Sequence, residues 1–262
     1  MRKILLFAIC IVLTSCGSVA ITGRNQLLLF SDGEIASLSE QSYNEVVSTT
    51  GLTANQRYVA DVREVGNRLI AAITEYMNAN NSPAVLNGFN WSFDVAKSEE
   101  INAFCLPNGR IVFYEGIMKI FQSKDEIAFV MGHEIAHAIA KHGNERMSQQ
   151  AVTGMVGELA SEVIGAKSSK NQAIFDVAFG LGAQYGVMLP FSRKHEYEAD
   201  KLSLIFMAIA GYNIDAAPAF WEKMSQGGNS SGSDFFSTHP SDANRIANMK
   251  KELETARKYK KQ

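Results

Sequence analysis

The stretch that decides the fold is "HEIAHAIAKHG", residues 133–143. On a helix, His133 and His137 are one turn apart and project from the same face. Two imidazoles so placed can fill two corners of a zinc tetrahedron. Catalytic zinc usually keeps three protein ligands and an open position for water. Glu134, adjacent to the first histidine, can reach that water as general base, so every fixed position of H-E-x-x-H has a mechanical reason. The surroundings are apolar, with Ile127, Val130 and Met131 before the motif and Ile135, Ala136 and Ala138 within it. Two histidines and a glutamate in so buried a helix are costly unless something satisfies them, and a metal does. His142 lies five residues past His137, on another side of the helix. It reads as a histidine at the helix C-terminus, favourable against the dipole, and not as a ligand.

The third ligand must come from elsewhere. Glu158 follows His137 by 21 residues. The second candidate lies in "SRKHEYEAD", residues 192–200, where Glu196 and Asp200 are four apart and share a helical face while Glu198 points away. A ligating carboxylate with a second carboxylate one turn on supplies a metal oxygen and an acceptor for an imidazole N–H, which favours Glu196 with Asp200 behind it. The competing reading of the segment is a solvated charged face with Lys194 and Lys201.

Outward from these motifs, apolar residues recur at helical spacing at Val62, Val65, Leu69, Ile73 and Met77, within about 55–77. "FNWSFDV" (89–95) alternates like a half-buried strand, and "LPNGRIVFYEG" (106–116) pairs a turn with a β-rich run. The motif helix is expected over about 124–142, capped at Gly143, and another over about 194–210, stopped at Gly211. A last helix is expected from about 241. The apolar, glycine-rich 171–191 reads as a packed or mobile helical segment. The class is therefore α+β, helix-dominated, with a short sheet beside the active-site helix.

The 262 residues carry 25 basic and 27 acidic side chains, and no basic surplus argues for nucleic acid. Arg2 and Lys3 precede ten apolar residues, Ile4 to Leu13, too few to span a bilayer but suited to a signal peptide. "LTSC" (13–16) resembles the bacterial lipobox, which implies lipidation at Cys16 after removal of residues 1–15. That removal would take two bases and no acid, moving the net charge from −2 to −4. It would also leave Cys105 as the one thiol besides the lipidated cysteine, so no intramolecular disulfide is expected. Gly17 and Ser18, with no aspartate after Cys16, point by analogy to an outer-membrane destination facing the periplasm. The expected organisation is a signal at 1–15, a lipid-anchored tether and N-terminal segment at 16–54, and a catalytic domain at 55–262.

"HEIAH" followed by "SRKHEYEAD" resembles the gluzincin peptidase family of HtpX and the CAAX prenyl protease, and within it the envelope lipoprotein branch of BepA and LoiP. The resemblance implies a zincin-like fold and one zinc held by His133, His137 and Glu196. It makes Glu134 the general base and Asp200 the carboxylate behind a ligand. "NAFCLPNGRIVFYEG" (102–116) is similar to the family's edge strand, which implies that substrate lies as an added strand along Asn102, Ala103 and Phe104. "STHPSDANRI" (237–246) resembles a further box, whose His239 would either stabilise the oxyanion or plug the fourth metal position. The function implied is a zinc endopeptidase acting on polypeptides, with misfolded outer-membrane proteins as the analogy-level substrate. The alternative is a chaperone-like assembly factor on the same fold, its cleft occluded by 171–191.

Overall fold

The computed structural model describes residues 17–151, 192–226, 235, 239 and 243–260, and the main chain alone of residue 16 and residues 152–158. The expected signal and the 171–191 segment lie outside the described residues. The chain opens with a hairpin of β1 (Cys16–Ser18) and β2 (Asn25–Leu27), followed by α1 (Asp32–Thr50) and α2 (Gln56–Ala79). Next come β3 (Ser92–Ala96), β4 (Ala103–Cys105), β5 (Arg110–Tyr114) and the short α3 (Glu115–Met118). Helices α4 (Lys124–Ile139), α5 (His142–Glu158), α6 (Arg193–Ile209), α7 (Ala216–Gln226) and α8 (Ala243–Arg257) complete it. No helix among the described residues is long and apolar enough to cross a membrane.

The sheet order is β3-β5-β4, with β3 parallel and β4 antiparallel to β5, so β4 is an edge. The strand begins later than the alternation suggested. Phe93 and Val95 are buried, whereas Phe89 and Trp91 stack on each other ahead of it, ring centroids 4.5 Å apart. The Pro-Asn-Gly turn closes through Gly109 N–H donating to the Leu106 carbonyl, with Gly109 at φ 89°.

Helix α4 is capped by Ser123, whose hydroxyl accepts the Glu126 N–H, and every residue from Ile127 to Ile139 is buried. A helix apolar all round belongs in the middle of a fold. Here α4 lies against α6, with α2 and α7 also packed on it and α8 behind α6. Helices α4 and α6 approach closely at Gly132. A Cβ there would sit 2.8 Å from Ser203 Oγ, and that hydroxyl is held by donating to the Phe129 carbonyl at 2.8 Å. Gly132→Ala is therefore expected to cost about 1–3 kcal/mol by overpacking. Urea unfolding would measure it, and an unchanged midpoint would contradict the packing described.

Two further expectations need correction. The motif helix does not run to Gly143: it ends at Ile139, Lys141 takes φ 54°, and His142 starts α5. Lys141 bridges the break by pairing its ammonium with Asp32 at 2.7 Å. The tether expected at the start of 16–54 is packed on the fold from its first residues. Leu29 N–H donates to Ser148 Oγ at 2.9 Å, and Val19 is buried. Helix α1 is fastened beyond it: Ile35 enters a core cluster with Phe104 and Val112, Tyr43 donates to Asp94, and Glu40 takes the Arg110 guanidinium at 2.7 Å.

Candidate active site

Helix α4 presents His133 and His137, α6 presents Glu196 one helix away, and His239 arrives from the segment before α8. One ligand atom from each lies within 4.8 Å of the others, all four residues being buried. The Nε2 atoms of His133 and His137 are 3.0 Å apart. Glu196 Oε1 is 3.4 Å from His137 Nε2, and Oε2 is 3.5 Å from His133 Nε2. Bonds of about 2.0–2.1 Å in a tetrahedron give edges of roughly 3.3–3.4 Å, so these separations fit a zinc-sized ion. The electrostatics also fit a cation. Burial would depress His133, but its bonds to Asp200 and Glu196 hold the ring proton up to about 9. Burial likewise opposes the Glu196 charge, yet Arg245 and the histidines hold that carboxyl well below its usual range.

Behind each histidine is a carboxylate. Asp200 Oδ1 lies 3.0 Å from His133 Nδ1 and can accept its N–H, leaving Nε2 as a lone pair for a metal. His137 reaches a carboxylate indirectly: its Nδ1 is 3.0 Å from His142 Nδ1, and His142 Nε2 is 3.0 Å from Glu198 Oε2. His142 is thus a supporting group at the start of α5, not a helix C-terminal charge. Burial outweighs its bond to Glu198 and brings its ring down to about 4, so it is neutral near pH 7.

Glu134 is buried at the side of the cluster, its Oε1 3.4 Å from His239 Nε2. Burial raises its carboxyl above the usual range, against the pull of His239, His133 and a hydrogen bond from the Cys105 backbone. A base with its affinity raised towards neutrality suits proton transfer. That bond also ties Glu134 to the edge strand. In β4 the bonds to β5 use Asn102 and Leu106, so by alternation the main chain of Ala103 and Cys105 faces outward. Phe104 and Asn102 line the same groove, a cavity of about 260 Å³ that reaches Glu134 and His137.

Arg245, on α8, is the residue the sequence reading passed over although it lies in the quoted box. Its guanidinium is buried, 2.6 and 2.8 Å from the two Asp200 oxygens and 2.5 Å from Glu196 Oε2, and it covers the Trp221 ring at 4.4 Å. It pairs with Glu196 Oε2, the oxygen 3.5 Å from His133 Nε2, while Oε1 lies 3.4 Å from His137 Nε2 and 3.1 Å from His239 Nδ1. Nothing in "ANRI" marks that arginine as buried; its signal is spatial. Glu158, the rival third ligand, closes α5 with its side chain outside the described residues; among those described, the carboxylate beside both histidines is Glu196. Cys16 opens β1, and its side chain is likewise outside.

A second polar cluster lies beyond His142. Arg24 reaches Glu145 with both terminal nitrogens, at 2.9 and 2.7 Å, and Glu198 through Nε at 2.6 Å. His195 Nε2 is 3.0 Å from Glu145 Oε2, and its ring stacks on His142. Burial pushes the Glu145 carboxyl up, but the bonds from His195 and Arg24 outweigh it and bring it down to about 2. A depressed carboxyl contributes stability that is present above about pH 4.5 and lost as the pH falls towards 2. In chelator, Glu145→Gln should therefore unfold at lower urea than the parent at pH 7, with the gap narrowing at pH 3. A gap that is constant with pH would contradict the pairing.

Comparison with known proteins places the chain. It is 32% identical over 236 residues to human "Metalloendopeptidase OMA1, mitochondrial", covering 86% of this chain and 44% of that protein. It is 26% identical over 247 residues to "Metalloprotease LoiP" of Escherichia coli (strain K12), covering 91% of both. It is 25% identical over 165 residues to the "Putative beta-barrel assembly-enhancing protease" of Vibrio cholerae, covering 62% of this chain and 32% of that protein. The chain spans less than half of two of these three relatives. Residues 60–253, which hold the whole histidine and carboxylate cluster, match the model of Peptidase family M48, and the chain belongs to that family.

Proposed function

We propose that this chain is a zinc-dependent endopeptidase of the cell envelope that degrades misfolded or unassembled envelope proteins, a quality-control role. The observation that carries this reading is the buried His133, His137 and Glu196 cluster with Glu134 beside it, at the floor of a groove along β4. Two imidazoles and a carboxylate at these separations suit zinc, one per chain. Bound there, zinc would supply a Lewis acid for the scissile carbonyl and acidify water. Asp200 keeps His133 in the required tautomer. Glu134 takes the proton from the attacking water on its carboxylate and returns it to the leaving amine nitrogen. The outward main chain of Ala103 pairs with an extended substrate between Asn102 and Phe104. Ile35, Phe89, Phe104 and Pro107 make the groove wall apolar, which suits segments that folded proteins bury.

The N-terminal features support placement at a membrane, through lipid on Cys16 after loss of residues 1–15, at the outer membrane facing the periplasm. The mature chain would then be one folded unit whose N-terminal segment, 16–54, packs on the catalytic domain, 55–262. The test is cleavage of casein, an unfolded protein, by the full chain in detergent with zinc. Cleavage that chelator stops is expected, with a stably folded protein of similar size left intact. No cleavage while zinc is bound would favour the second reading.

That second reading is an assembly factor with a closed protease site. One observation favours it: His239 Nδ1 lies 3.1 Å from Glu196 Oε1 and 3.2 Å from His133 Nε2, as a fourth ligand would. His239→Ala is expected to open that corner and raise casein cleavage about tenfold. A loss of about 10²-fold would instead assign His239 to the oxyanion.

A further inference from the structure

We propose that the N-terminal hairpin is a working part of the metal site, Arg24 acting through Glu198 and His142 to fix the ligand His137. This rests on His137 being a metal ligand, the reading given above. Arg24 follows the β1–β2 turn, held there by Val19 N–H donating to its carbonyl at 2.9 Å. It sits 121 residues from Glu145 and 174 from Glu198 in sequence, yet its guanidinium closes on both, with the side chain only 12% exposed. Thr22, from the same turn, donates to the other Glu198 oxygen.

With His137 Nε2 turned to the metal, as the reading above requires, the ring's proton is on Nδ1, 3.0 Å from His142 Nδ1, which accepts it. His142 then carries its own proton on Nε2 and donates it to Glu198 Oε2 at 3.0 Å. His137 Nε2 points at the cluster, 3.0 Å from His133 Nε2. His133 is set the same way by Asp200 directly. The two ligands are thus oriented by two relays, one short and one running back to the first strands of the chain. Without Arg24, Glu145 and Glu198 would face each other beneath the stacked rings of His142 and His195 with no guanidinium between them. Glu198 would then lose the donor that aims it and turn, which ends its hold on His142.

Arg24 is accordingly a positioning residue, and metal affinity is the property that reports on it. The experiment is competition for zinc between a chromogenic chelator and the full chain in detergent, for the parent, Arg24→Gln, Arg24→Lys and, as a control, Arg63→Gln. Unfolding midpoints are measured in parallel with zinc removed. Orienting groups behind ligands are worth about 10–100-fold in affinity. Arg24→Gln should raise the zinc Kd by that factor. Arg24→Lys should recover part of it, because an ammonium meets one carboxylate but lacks the fork. Arg63, which pairs with Asp94 at 3.6 Å away from the site, should change nothing. A lower apo midpoint with zinc Kd within twofold of the parent would make Arg24 merely structural and overturn the proposal. Should Arg24→Gln not fold, Glu198→Leu decides: its side chain accepts no hydrogen bond from His142, so a folded variant with unchanged Kd overturns the proposal equally. A parent chain that binds no zinc would instead overturn the peptidase reading itself.

Discussion

Replacing Glu134 by glutamine is expected to remove peptide cleavage and leave the metal in place. The change is nearly isosteric, and the amide oxygen can still accept the Cys105 N–H that now reaches the carboxylate. None of the ligand atoms is altered, so zinc content should match the parent. What goes is the carboxylate beside the cluster that takes a proton from water and delivers it to the leaving nitrogen. General-base removal costs about 10²–10⁴ in rate. Stability should hold or rise slightly, since a fully buried carboxylate is replaced by a neutral amide. Casein cleavage with matched zinc analysis measures this. Equal cleavage by parent and variant would show that Glu134 is not the base.

Arg245→Met is expected to have the largest effect on stability. The guanidinium is the shared cation of two buried carboxylates, Asp200 and Glu196, and is itself 2% exposed. Removing one member of such a group leaves uncompensated charge inside, at about 3–5 kcal/mol. At about 2–4 °C per kcal/mol for a domain of this size, the apo midpoint should fall by roughly 6–20 °C. Zinc should restore part of that loss, because the ion takes over the charge balance of Glu196. Arg245→Lys should fall between, reaching one carboxylate but not both. A thermal midpoint within about 2 °C of the parent would contradict the arrangement.

The central helices were legible because their signals are local. His133, Glu134 and His137 share one helix, and the apolar residues between them dictate its burial. Glu196 and Asp200 were readable as a pair because four residues apart means one face. The sheet was legible in outline, but Phe89 and Trp91 mimicked strand alternation while stacking on each other outside it. The end of α4 was misplaced because Gly143 is the obvious cap, whereas Lys141 takes the positive φ and is compensated by Asp32 from α1. Long-range pairing of this kind has no sequence period. The same holds for Arg245 and for the Arg24 cluster, where an arginine near the start of the chain satisfies acids on α5 and α6. The start of the 16–54 segment read as a tether because its packing depends on those distant partners.

The most direct test of the account is metal analysis of the purified full chain, by elemental stoichiometry and zinc-edge absorption, with His133→Ala and Glu196→Gln alongside. One zinc per chain in a nitrogen and oxygen environment, lost or strongly weakened in both variants, is the expected result. A parent chain without affinity for zinc, or variants that bind it as the parent does, would contradict it.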